Sequence, residues 1–248
     1  MLAKRIIAVL TFDNGSLTRT KNFIQDYRYT KNFINNSLFD GIVLIDVSRS
    51  KKQREKFYNV VKNFSKNCFV PITVGGMIDS IDEIRLFQSF GVDKILVNSI
   101  TVKNEKLLKK AINMFGNQFI VIGLDVKKSK NSYNFYYNHG QKKIKFPFIR
   151  WIKKIKNLNP GEVLLQSIDR DGSLKGFDLT IIKKVKNYFE CPILVCGGGG
   201  NWEHFVEAFK KCDVDAVCTN NIYHLTHKSI LSSKLFCMNK NIEIRLEK

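Results

Sequence analysis

The sequence predicts an α/β protein of the (β/α)8 TIM-barrel class, on three observations. Eight short apolar, β-branched runs alternate with amphipathic helical stretches. The 248 residues suffice for one complete barrel and a sizeable core. The second half of the chain repeats pieces of the first in the same order. One barrel domain over 1–248 is expected, with half-barrels of roughly 1–117 and 118–248.

The strand candidates are 5–11, 41–46, 69–74, 94–98, 119–125, 162–167, 192–196 and 215–219. Their apolar character is nearly continuous, as expected of parallel strands covered on both faces. Helical periodicity marks 79–90, 104–115, 178–189 and 202–211, with Asp79 and Asp178 as N-cap candidates. Two connections are longer than usual, 13–30 after the first strand and 126–146 after the fifth. The second has the pattern of a hairpin. The first carries Arg19 and Lys21, which suit a cationic lid over a phosphate.

The repeat favours a closed barrel over the alternative of an open doubly wound sheet. FVPITVGG at 69–76 resembles CPILVCGG at 191–198, and GVDKILVN at 91–98 resembles DVDAVCTN at 213–220. GIVLIDVS at 41–48 resembles EVLLQSID at 162–169. Strands one to four thus recur as strands five to eight, a two-fold symmetry that a barrel accommodates.

The net charge of +19 raises nucleic-acid binding as a reading. The lysines are spread over nearly every predicted helix, however, and no nucleic-acid-binding signature accompanies them. A surface that attracts anionic metabolites is the better expectation. The six cysteines lack metal-ligand spacing. Cys68, Cys191, Cys196 and Cys218 lie in strand-like runs, as reduced core thiols would. No apolar run has the length of a signal peptide or membrane span, so a cytoplasmic protein is expected.

Glycines and polar residues gather at the predicted C-terminal ends of the strands. Gly75-Gly76 and the run Gly197 to Gly200 would let backbone N–H groups approach a phosphate. Gly198 and Gly199 belong to that second turn. Asp169, Asp171 and Gly172 follow strand six at the same rim. Asn98-Ser99 and Asn220-Asn221 end strands four and eight and can donate hydrogen bonds to phosphate oxygens. Two such sites on opposite halves suit a ligand carrying a phosphate at each end. Asp125 closes an apolar strand, where a carboxylate is costly unless it is used or paired, and it suits proton transfer. Its symmetry mate is Thr11, which cannot act as a general base near neutral pH. Asp46 is a weaker candidate, as a ligand or scaffold hydrogen-bonder. Arg5, Lys94 and Glu162 begin strands one, four and six, where they could form a salt-bridged plug. His204 reads as a helix-surface residue, and neither a metal nor a cofactor is expected.

MLAKRIIA at 1–8, TVGG at 73–76, SIDRDG at 167–172, EHF at 203–205, EAF at 207–209 and RLE at 245–247 together resemble the cyclase subunit of imidazole glycerol phosphate synthase. The likeness spans the whole chain. It implies a glutaminase docked on the N-terminal face, with Asp93 at that rim. It also implies ammonia passing through a charged gate formed by Arg5, Lys94 and Glu162. At the opposite mouth a bisphosphorylated ribulose derivative would be cleaved and cyclised. The family's catalytic pair ends strands one and five; Asp125 matches the second member and Thr11 replaces the first. Gly76, Asn98 and Ser99 match the first phosphate site, where Met77 replaces a further glycine. Asp171, Gly172 and Gly198 match the second, while Asn220 and Asn221 depart from its small residues. Gly41 replaces a gate glutamate.

The segment VLTFDNGSLTRTKNF at 9–23 is closer to a paralogous branch associated with sugar amidation in bacterial surface polysaccharides, which also lacks the strand-one Asp. The reading preferred on sequence alone is therefore a barrel that pairs with a glutaminase and passes ammonia to a sugar amidotransferase. The alternative is an active cyclase of histidine biosynthesis.

Overall fold

The computed structural model describes residues 3–28, 39–130, 132–219 and 230–245. Among these residues twelve strands form one sheet: β1 (Arg5–Asp13), β2 (Ser16–Lys21), β3 (Ile24–Arg28), β4 (Ile42–Asp46), β5 (Ile72–Gly75), β6 (Lys94–Val97), β7 (Ile120–Ser129), β8 (Ser132–Tyr137), β9 (Lys142–Lys143), β10 (Glu162–Ser167), β11 (Ile193–Cys196) and β12 (Ala216–Thr219). Eight of them close a parallel barrel in the order β1, β4, β5, β6, β7, β10, β11, β12, with β12 returning to β1. All eight predicted strands are present.

Around the barrel lie α1 (Arg54–Asn67), α2 (Ile81–Ser89), α3 (Ser99–Lys103), α4 (Glu105–Phe115), α5 (Phe148–Lys156), α6 (Leu179–Lys186), α7 (Trp202–Cys212) and α8 (Ile230–Asn239). Asp178 caps α6 through the Ile181 N–H, but the cap of α2 is Ser80 rather than Asp79. Asp79 instead receives Lys51.

Strand alternation builds two layers of core. Ile6, Leu44, Ile122 and Val195 face outward under the helices. Ile7, Val9, Val43, Leu96, Val121, Leu164, Leu194, Cys196 and Cys218 fill the barrel interior. Cys196, Cys212, Cys218 and Cys237 are buried free thiols, while Cys68 and Cys191 are only partly covered.

The connection after the first strand is not a loop. β1 runs on past the barrel and folds back through β2 and β3, and β7 does the same through β8 and β9. The repeat thus extends to the two hairpins, the first of which turns at Asn14-Gly15, with φ +49° and +77°. The structure also shifts the repeat by one residue near the glycine turns. β5 and β11 end at Gly75 and Cys196, so Gly76 answers to Gly197 and Met77 to Gly198. The prolines Pro71 and Pro192 then coincide as well.

Candidate active site

The C-terminal ends of the strands surround a cavity of about 640 Å³ lined by Thr11, Asp46, Gly76, Asn98, Asp125 and His139, among others. A smaller recess of about 40 Å³ beside it is lined by Thr20, Asp171, Gly172 and Gly197 to Gly199. Thr11, Thr20 and Gln166 border both. The two predicted clusters of glycines and carboxylates therefore meet in one mouth.

Asp125 follows Val121 and Gly123 on the inward face of β7. Burial pushes its carboxyl up to about 7, and the negative charge of Asp171 adds to the shift. Asp171 is itself pushed up to about 6 by burial, against the Phe23 N–H, the Thr20 hydroxyl and the Arg19 charge. The Phe23 N–H donates to Asp171 Oδ2 at 3.1 Å and the Asn22 N–H to the Asp171 carbonyl at 3.3 Å. The β2–β3 hairpin, with Arg19 on β2, is thereby docked on the Asp171-Gly172 segment after β10. Its tip also reaches the other hairpin, since a Cβ on Gly140 would come within 2.8 Å of the Phe23 ring.

Thr11 and Asp125 occupy equivalent places. Each points inward and each is the first residue of its strand to pair with its hairpin, Thr11 with Thr18 and Asp125 with Tyr136. The Thr11 hydroxyl donates to the Thr18 carbonyl at 2.6 Å.

At the first glycine turn, Gly76 has φ +93° and a Cβ there would lie 2.1 Å from the Asp46 carbonyl oxygen. Met77 follows at φ +52°, a left-handed conformation natural to glycine and strained for methionine. The Asn98 amide donates to the Tyr136 carbonyl at 3.3 Å, and Ser99 Oγ accepts from the Asn138 N–H at 3.0 Å. Both residues thus hold the β8–β9 turn at the cavity wall. Asn98 Oδ1 is buried and finds no hydrogen-bond partner among the described residues. At the second turn, Gly198 has φ +111° and a Cβ there would lie 2.1 Å from the Gly176 carbonyl oxygen. His204 is not a plain surface residue, because its Nδ1 accepts the Gly200 N–H at 3.2 Å and helps hold this turn. Asn220 and Asn221 lie outside the described residues.

Asp46 serves the scaffold. It accepts the Ser48 N–H at 2.9 Å and pairs with the buried Arg54 at 2.6 Å.

At the opposite end of the barrel, one oxygen of Glu162 takes both Arg5 at 3.0 Å and Lys94 at 2.8 Å. The predicted three-residue cluster is therefore assembled. A Cβ on Gly41 would meet only ordinary contacts, the nearest at 3.4 Å, so packing does not exclude a side chain there. Asp93 has a structural duty beside its exposed position, because its carboxylate accepts the Ile72 N–H at 2.8 Å. Asp40 and Asp215 do the same for Ile6 and Ile193, each at 2.8 Å. The three aspartates tie the starts of neighbouring strands together, and Asp40 is further locked by buried Lys234 at 2.7 Å.

The profile of a family described as "Histidine biosynthesis protein" matches residues 8–228. Proteins named imidazole glycerol phosphate synthase subunit HisF are similar over the whole chain. That of a Hydrogenobaculum species is 32% identical, and those of Clostridium botulinum and Chlorobium phaeobacteroides are 34% identical. Each alignment covers 99% of this chain and 100% of the relative. The chain belongs to the HisF family.

Two features of this HisF-family mouth escaped sequence reading. His139, at φ +57° in the β8–β9 turn, lines the large cavity. Burial and the charges of Arg49 and Lys103 hold its imidazole below the ordinary value, against the pull of Asp46. No spacing rule would have found it. The Arg54–Asp46–Glu83 cluster under the first turn was hidden because Arg54 and Glu83 look like surface positions on α1 and α2. Among the described residues, no group of three His, Cys, Asp or Glu could hold a metal ion, and no helix is long and apolar enough to cross a membrane.

Proposed function

We propose that the chain is the barrel subunit of an imidazole glycerol phosphate synthase, converting a bisphosphorylated ribulose derivative with ammonia supplied by a glutaminase subunit. The observation that carries this reading is Asp125, lodged in a cavity of about 640 Å³ with its carboxyl raised to about 7. A group poised there can accept and return a proton near neutral pH. Asp171 is a second carboxyl at the same mouth, and its negative charge helps to raise Asp125. The glycine turns at Gly76 and Gly198–Gly199, with Asn98, Ser99 and Gly172, would take the two phosphates. Arg5, Lys94 and Glu162 would gate ammonia at the face where the glutaminase docks. The full-length similarity to HisF subunits supports the whole arrangement.

One observation favours a second reading. Thr11 replaces a family carboxylate and spends its hydroxyl on the Thr18 carbonyl. A barrel without cyclase chemistry could still pass ammonia to a sugar amidotransferase in polysaccharide synthesis. The ammonia-dependent cyclase assay of the purified chain separates the two: turnover supports the synthase, and its absence with nitrogen transfer to a sugar acceptor supports the conduit.

A further inference from the structure

We infer that Arg54 is a positioning residue that aims the Met77 N–H into the large cavity as an anion donor. The inference rests on the reading of the mouth as an anion site. Arg54 Nη2 donates to the Gly76 carbonyl at 2.7 Å. The Gly76–Met77 peptide is trans, so its C=O and N–H point in opposite directions. Fixing the carbonyl on the guanidinium, beneath the turn, turns the Met77 N–H away from it. Gly76 and Met77 both line the cavity. Among the described residues no acceptor takes that N–H.

The clamp is itself immobilised. Arg54 Nη1 pairs with Asp46 at 2.6 Å and Nε with Glu83 at 2.7 Å, while Tyr58 donates to the same Glu83 oxygen at 3.0 Å. The guanidinium also stacks over Phe57, Tyr58 and Phe87, with 5.0 to 5.6 Å to their centroids. The planar fork thus meets three acceptors at once, which a lysine cannot do. Asp79, a carboxylate lining the same cavity, is taken by Lys51 at 2.7 Å and so repels an anion less. The clamp also explains how Met77 keeps a conformation that favours glycine. At the second turn a backbone donor holds a carbonyl one residue further along the repeat, the Gly176 N–H meeting the Gly198 carbonyl at 2.8 Å and so orienting the Gly199 N–H. That turn owes nothing to Arg54 and serves as an internal control.

The test is a titration of the ¹⁵N-labelled chain with inorganic phosphate, following the amides of Met77, Gly198 and Gly199. In the unaltered chain all three should shift. In Arg54→Lys the affinity reported at Met77 should fall about tenfold, the cost of one lost charge-assisted orientation, with Gly198 and Gly199 unchanged. The triple variant Arg54→Met, Asp46→Asn, Glu83→Gln removes the buried charges together and should show the same selective loss if Arg54→Lys folds poorly. Undiminished phosphate binding at Met77 in the folded variants overturns the inference while leaving the anion reading intact. Binding at Gly198 and Gly199 but not at Met77 in the unaltered chain also overturns it. Silence at all three amides overturns the inference together with the anion reading.

Discussion

Thr11 and Thr18 are joined by a 2.6 Å hydrogen bond from hydroxyl to carbonyl, across the first pair of the β1–β2 hairpin. The residue that answers to Asp125 under the barrel's two-fold repeat is thereby committed to holding a hairpin. Thr11→Val keeps the shape and should cost about 1 kcal/mol of stability. Ammonia-dependent turnover should survive it. Loss of turnover in a folded Thr11→Val would give the hydroxyl a catalytic part that this account denies.

Asp125 and Asp171 bind protons more tightly in the folded chain than at the unfolded value of about 3.9. Their contribution to stability is therefore full below about pH 4 and is lost as pH rises through about 6 and about 7. Melting temperature should fall from about pH 5 to about pH 8 more steeply in the unaltered chain than in Asp125→Asn. Equal slopes in differential scanning calorimetry would contradict the raised carboxyl. Activity, by contrast, should rise through neutral pH as Asp125 ionises to act as base.

Asp93→Lys removes the acceptor of the Ile72 N–H as well as a rim charge. It should destabilise the barrel by about 1–3 kcal/mol. Asp93→Asn keeps an acceptor oxygen and should melt close to the unaltered chain. Weaker glutaminase binding in both variants, with Asn still folded, would place Asp93 in the interface; full binding in the folded Asp93→Asn variant would make its role structural.

Met77→Gly should relieve the left-handed strain at φ +52° while loosening the unfolded chain, so the net change is expected within about 1 kcal/mol. Phosphate should bind the first turn more tightly, because a side chain leaves the cavity. Gly198→Ala should be severe, since the added Cβ would lie 2.1 Å from the Gly176 carbonyl oxygen. Chemical denaturation of the two variants side by side checks the contrast.

Much of this was legible in the sequence for identifiable reasons. Parallel barrel strands are buried on both faces, so Val163 to Leu165 and Ile193 to Val195 read as apolar runs. Asp125 stood out because a carboxylate in such a run demands a use. The first hairpin carried its own signal, the Asn14-Gly15 turn at φ +49° and +77° with β-branched Thr18 and Thr20 after it, but a reading guided by apolar runs passes over so polar a strand. Arg54 and Glu83 occupy polar positions in helical patterns, and only the fold shows that they are buried against each other. The repeat register slipped by one because glycines were matched to glycines, whereas Met77 keeps the left-handed backbone without being one.

Whether the barrel is a working cyclase is decided by assaying the purified chain for ammonia-dependent cleavage and cyclisation of the bisphosphorylated ribulose substrate. Turnover with ammonium salts alone is expected, with a collapse of about a hundredfold or more in Asp125→Asn. The absence of turnover in the folded, unaltered chain, with saturating ammonia and with a glutaminase partner present, would contradict it.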